Sequence, residues 1–187
     1  PLETIVETLE EETPNLYRVG HPPNPSGFQA TPLMIGGVLY FNTPLSQGVA
    51  VDATTGETLW VFNPKSYEEG TTTMTGTWRQ RGVAYWTDGA EDERIFWGTG
   101  NGYLVCVNAT SGQPCPDFGP DGSGMVDAMV GVPRANRDER DYLNAMLYGI
   151  HSPPIVVRDR VIHGSHVADR RITKEAVPGW VRAWNVR

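Results

Sequence analysis

Residues 49–60 read VAVDATTGETLW. Apolar side chains alternate up to Asp52, a Thr55-Gly56 step follows, and Trp60 stands four residues beyond the glycine. Alternation is strand behaviour, because successive side chains leave opposite faces of an extended chain. Gly56 suits the positive φ that closes a tight turn. The Asp52 carboxylate is placed to accept from backbone N–H groups inside that turn. The stretch therefore predicts a hairpin turning at 54–56. Small Ala50 leaves room for a large flat ring, and Trp60, on the next strand, can lie across a neighbouring sheet.

The pattern recurs. Cys106, Asn108, Ser111 and Gly112 repeat its first half, with Gly112 lying 56 residues after Gly56 and Asn108 the same distance after Asp52. The second copy keeps the turn but has Pro116 where the tryptophan would stand. Asn185 is the next candidate for the Asp slot, after an interval lengthened mainly by residues 120–150. Further hairpins read from PLMIGGVLYFN (32–42), turning at Gly36-Gly37, and SPPIVVRDRVIHGS (152–165), turning at Arg158-Asp159. RQRGVAYW (79–86), RIFWGTG (94–100) and GWVRAWNV (179–186) continue the rhythm. Repeats of roughly 40–60 residues with about four strands each are the mark of a β-propeller. The expected fold is all-β: a propeller fragment of about three four-stranded blades. Residues 1–27 form an extended lead-in, 28–187 the partial propeller, and 120–150 a long insertion, with the chain a piece of a longer one.

Composition agrees. With 21 Gly and 15 Pro in 187 residues, many short elements joined by turns are expected. The net charge of −7 argues against nucleic acid as a partner, since that affinity needs clustered cations. No apolar run reaches the roughly 18 residues that span a bilayer, and no signal peptide is visible. Cys106 and Cys115 leave two options open, a disulfide or a small buried apolar residue at 106.

The full Ala50-Asp52-Thr55-Gly56-Trp60 pattern resembles the tryptophan-docking motif of the pyrroloquinoline quinone (PQQ) dehydrogenases. The block at 28–62 resembles the family's first cofactor-lining blade, 79–86 the next and 151–187 the third, and GYLVCVNATSGQPCPDFGPDGSGMVD (102–127) is similar to the membrane-associated glucose and polyol branch. The resemblance implies an eight-bladed propeller around PQQ and a calcium ion. It places Arg81 on the cofactor's polar edge and Gln29 where alcohol-oxidising relatives have a carboxylate. His151 takes a donor slot facing the quinone, with Ser152 as the one-residue-shift alternative. Ser165, His166 and Ala168 fall against PQQ, and Asp169 on Ca²⁺ or, alternatively, in an ion pair with Arg170 or Arg171. Calcium prefers hard oxygen ligands, which suits Asp169. Thr75 and Gly76 stand where small-alcohol members carry adjacent cysteines, which favours the sugar or polyol branch. The family's catalytic aspartate falls beyond residue 187, so no base is assigned and this piece alone is expected to be inactive.

The expected function is therefore part of a PQQ- and calcium-dependent oxidoreductase. It would take hydride from a sugar or polyol hydroxyl and pass electrons to ubiquinone or a cytochrome. Its place would be the periplasm, attached to the inner membrane through parts outside this sequence. The alternatives are a non-catalytic propeller scaffold for protein binding and a carbohydrate-binding propeller without redox chemistry. Trp78, Trp86, Trp97, Trp180 and Trp184 are expected to pack between blades.

Overall fold

A computed structural model describes residues 27–66, 79–131, 148–167 and 178–187. Every regular element in them is a strand. The first sheet is antiparallel in the order β1 (Leu33–Ile35), β2 (Val38–Asn42), β3 (Gly48–Asp52) and β4 (Thr58–Phe62). The second repeats it with β5 (Ala84–Thr87), β6 (Glu93–Gly98), β7 (Tyr103–Asn108) and β8 (Met125–Asp127). A third holds β10 (Ile155–Val157), β11 (Arg160–His163) and β13 (Arg182–Asn185), three strands among the described residues rather than four. A separate ladder pairs β9 (Tyr148–Gly149) with β12 (His166–Val167). Met125–Asp127, inside the stretch read as an insertion, is the outer strand of the second sheet; residues 132–147 lie outside the described residues.

The two repeated turns are built alike. Asp52 Oδ1 accepts from the Thr54 and Thr55 backbone N–H groups (2.8 and 2.7 Å) and from the Thr55 hydroxyl (3.1 Å). These bonds, led by the Thr55 backbone N–H, hold the Asp52 carboxyl below its ordinary pKa. Asn108 Oδ1 does the same for Thr110 (3.1 Å) and Ser111 (2.9 Å), and the Ser111 hydroxyl donates to it at 3.0 Å. Gly56 and Gly112 take φ of 76° and 69°. Asn185 ends the third strand of its sheet, as Asp52 and Asn108 end theirs, and accepts there from the Arg160 guanidinium.

Sideways docking closes the gaps between sheets. Trp60 of the first sheet lies on Gly112 of the second: a Cβ at Gly112 would fall 2.6 Å from the indole. The Trp60 indole N–H donates to Ala109 O at 2.8 Å. In return Trp97 of the second sheet covers Gly48 of the first and donates to Ser46 O at 2.8 Å. The second sheet is buried on both faces, and its alternation sorts the side chains. Ile95, Trp97, Val105 and Val107 join a core with the first sheet. Phe96, Leu104 and Cys106 join another with Val161, Val186 and Trp184 of the third. Trp86 is buried in that second core. Trp180 departs from the packing expectation, being 36% exposed with the Arg182 guanidinium 4.3 Å above its ring. Trp78 lies outside the described residues.

Polar contacts reinforce the seam between the second and third sheets. Arg94, almost fully buried, donates to Asp92 (2.8 and 2.9 Å), to Asp117 (2.9 and 2.8 Å) and to Val186 O (2.8 Å). At the opposite flanks Met34, Leu59 and Val61 of the first sheet, and Ile155, Val157 and Val181 near the third, are exposed. Propeller sheets bury such faces against further blades.

Candidate functional site

The starts of the three sheets meet in one place. Thr31 N–H donates to Arg81 O (3.0 Å), and Arg81 N–H donates to His151 O (3.1 Å). Three chain segments far apart in sequence are thereby laced side by side. Gln80 anchors the middle one. It is buried, with its amide nitrogen donating to Gly98 O (3.1 Å) and Ile150 O (3.3 Å) and its oxygen accepting from Gly100 N (3.2 Å) and Ser46 Oγ (3.1 Å). In an extended segment Gln80 faces one way and Arg79 and Arg81 the other.

Both arginines line a cavity of about 220 Å³ with His151, Ser152, Gly164, Ser165 and His166. Of the residues singled out in the sequence, Arg81, His151, Ser152, Ser165 and His166 are brought together here. Gln29 is exposed and is not among the lining residues. Ala168 and Asp169 lie outside the described residues, as do Thr75, Gly76, Arg170 and Arg171. Arg79 was missed by motif reading, although the period of two that places Arg81 also places Arg79 on its face.

The cavity's electrostatics are one-sided. Two arginines line it, and no carboxylate is among its described lining residues. The Nε of Arg79 is buried without a hydrogen-bond partner, a costly state for a charged donor. The His151 and His166 rings stack with centroids 4.8 Å apart and planes 31° from parallel. Burial first, then His166, Arg81 and Arg79, lowers the His151 pKa to about 4. At neutral pH His151 is therefore an uncharged imidazole. The Ser165 hydroxyl donates to Trp180 O at 2.9 Å. Beneath, the Trp184 indole donates to His163 Nε2 (3.0 Å), which leaves the His163 Nδ1 proton for Gly164 O (3.1 Å). That pair fixes the backbone on which Gly164 and Ser165 sit.

A family model for the β-propeller domain of PQQ-dependent glucose, ethanol and alcohol dehydrogenases matches residues 10–187. The chain belongs to this family. Among curated relatives of this PQQ propeller, the quinate/shikimate dehydrogenase (quinone) of Acinetobacter baylyi is 27% identical over 180 residues, covering 84% of this chain and 20% of that protein. Quinoprotein glucose dehydrogenase A of Acinetobacter calcoaceticus is 29% identical over 174 residues, again 84% and 20%. The dehydrogenase subunit of the quinone-linked alcohol dehydrogenase of Acetobacter aceti is 36% identical over 87 residues, 46% of this chain and 11% of that one. The chain thus spans a fifth or less of the length of these relatives. A solved quinohemoprotein alcohol dehydrogenase from Pseudomonas putida HK5 superposes with a TM-score of 0.58 at 25% identity, over 85% of this chain and 19% of its own.

PQQ is a planar ortho-quinone with three carboxylates, and the residues present suit it. Two guanidiniums match carboxylate or quinone oxygens. Ser152 adds a hydroxyl to the lining, and the stacked imidazoles add flat surface.

Proposed function

We propose that this chain forms the cofactor-gripping part of a PQQ-dependent dehydrogenase acting on the hydroxyl of a sugar or polyol. The observation that carries the reading is the cavity lined by two arginines and no described acid, at the place where three chain segments are laced together. When bound, PQQ supplies a two-electron quinone acceptor. The chain's own residues bind and orient. Arg81, held by Thr31 and His151 through its backbone, presents its fork towards a quinone or carboxylate oxygen. Arg79 takes a second anionic oxygen. Neutral His151 can donate or accept without adding a third charge beside the arginines.

Calcium would be held through Asp169. Among the described residues there is no group of three or more His, Cys, Asp and Glu that could hold a metal, so calcium rests on residues elsewhere. The relatives named for glucose, quinate and alcohol support a hydroxyl substrate. Ubiquinone or a cytochrome as acceptor, and a periplasmic location, follow from the same family reading.

The test is PQQ binding, followed by tryptophan fluorescence and equilibrium dialysis with and without Ca²⁺. Removing one charge-assisted contact costs about 1.5–3 kcal/mol, so Arg81→Ala and Arg79→Ala should each weaken binding by roughly 10- to 100-fold. Binding that survives both substitutions unchanged would overturn the proposal and leave a propeller scaffold.

A further inference from the structure

The second sheet carries a feature that cofactor binding does not use. Cys106 lies in β7, fully buried, and Cys115 lies in the segment that folds back after the Asn108–Gly112 turn, 4% exposed. An isolated antiparallel bridge pairs Val107 with Pro114, which sets residues 106 and 115 directly opposite each other. The Cys115 N–H donates to Cys106 O at 3.1 Å, confirming the register. Residues opposite in an antiparallel ladder have Cα atoms roughly 4.5–5.5 Å apart, inside the range that a disulfide spans. The two side chains leave the ladder on the same face, and their sulfur atoms touch inside the core shared with the third sheet.

We propose that Cys106 and Cys115 form a disulfide that clasps the returning segment onto β7 and holds Asp117 on Arg94 at the seam between the second and third sheets. Asp117 is two residues beyond Cys115 and shares Arg94 with Asp92 and with Val186 O of the neighbouring sheet. The segment otherwise carries Pro114, Pro116 and a turn at Phe118, whose N–H donates to Cys115 O at 3.0 Å. Prolines offer no N–H to a ladder, so few backbone bonds hold this stretch, and a covalent clasp supplies what they cannot. Burial, followed by contact with the neighbouring thiol, holds the Cys106 pKa well above its ordinary value. Thiolate is the attacking species, so the bond forms before this core closes. The step is a thiol–disulfide exchange. The two cysteines lose two protons and two electrons, an S–S bond forms between them, and a small disulfide oxidant such as oxidised glutathione is cleaved to two thiols.

The experiment is to unfold and reduce the 187-residue chain, refold it with oxidised and reduced glutathione, then denature and alkylate it. The expected result is a mass lower by two hydrogens, no alkylation until a reductant is added, and a 106–115 linked peptide pair in the digest. The oxidised chain should also lose urea resistance when dithiothreitol is added, whereas Cys106→Ala should show no reductant-dependent shift. Two alkylated cysteines without reduction, mixed disulfides with glutathione, or a disulfide-linked dimer would each overturn the pairing. An unchanged urea midpoint on reducing a chain shown to be linked would overturn the clasp. None of these readouts depends on PQQ.

Discussion

Gly56 and Gly112 close two turns of one design, yet substituting them should have different consequences. Both hold a positive φ near 70°, a conformation that costs an Ala about 1–2 kcal/mol. Around Gly56 nothing lies within 4 Å of an added Cβ, so Gly56→Ala should show the backbone cost alone, ~1 kcal/mol. At Gly112 the same Cβ meets the Trp60 ring at 2.6 and 2.7 Å. The ring cannot simply tilt away, because its N–H is held by Ala109 O at 2.8 Å and Tyr40 packs beside it with centroids 6.0 Å apart. Overpacking of this kind adds about 1–3 kcal/mol, so Gly112→Ala should cost roughly 2–4 kcal/mol in total. With a urea m-value of about 1–3 kcal/mol/M, the two variants should differ by about 1 M in midpoint. A double-mutant cycle isolates the cause: with Trp60→Ala in place, Gly112→Ala should cost no more than Gly56→Ala does. Equal costs for the two glycines in the wild-type background, or additivity with Trp60→Ala, would refute docking of the indole on the neighbouring turn.

Three further outcomes follow from the geometry. The folded His151 pKa of about 4 lies below the unfolded 6.5, so the folded state binds fewer protons between them and stability falls as pH drops through that window. The drop is worth roughly 3 kcal/mol once complete, and His151→Gln should flatten the urea midpoint's pH dependence between pH 4 and 6.5; an unchanged profile would contradict it. Gln80→Leu strips donors from Gly98 O and Ile150 O. It should cost about 1–3 kcal/mol in urea unfolding and weaken PQQ binding through misplaced Arg79 and Arg81, and unaltered affinity would show that Gln80 does not position them. Arg94→Lys replaces five fixed N–H contacts with at most three from a point charge and should cost about 2–3 kcal/mol, whereas a change under ~0.5 kcal/mol would remove Arg94 from the seam's stability.

The turns were legible because their causes are local. An acceptor side chain, a glycine and an alternating strand lie within a dozen residues, and the same grammar at 106–112 yields the same hydrogen bonds. The docking was half legible. Ala50, Trp60 and the repeat announce that a ring must reach sideways, but nothing in the sequence says that Gly112, the sister turn, is the surface it reaches. Met125–Asp127 was hidden because three residues give too little alternation, and Tyr148–Gly149 with His166–Val167 because two-residue ladders are set by neighbours rather than by propensity. At the site, family resemblance picked out the residues matching a motif and passed over Arg79, which matches none. Gln29 shows the converse. It occupies a motif position, yet it lies in the irregular segment before β1, exposed and outside the cavity lining.

The net charge of −7 and the cavity's two arginines pull in opposite directions for an anionic ligand. At a distance the chain repels it, although salt screens that repulsion beyond about 8–10 Å. Affinity must therefore come from short contacts in a confined space, where charges interact more strongly than in water. That requirement explains why the arginine-bearing segment is so firmly built. Gln80 fastens it from behind, Thr31 and His151 lace its backbone on either side, and the His151 ring near the arginines is kept neutral. A flexible cationic loop would meet the same ligand but would lose side-chain entropy on binding, and the fixed fork of Arg81 loses less. Placing the cations where the three sheets begin, rather than on an outer loop, lets blade packing do the positioning. If PQQ binds as proposed, the blade packing that the docked tryptophans build is also what would hold the two arginines in place.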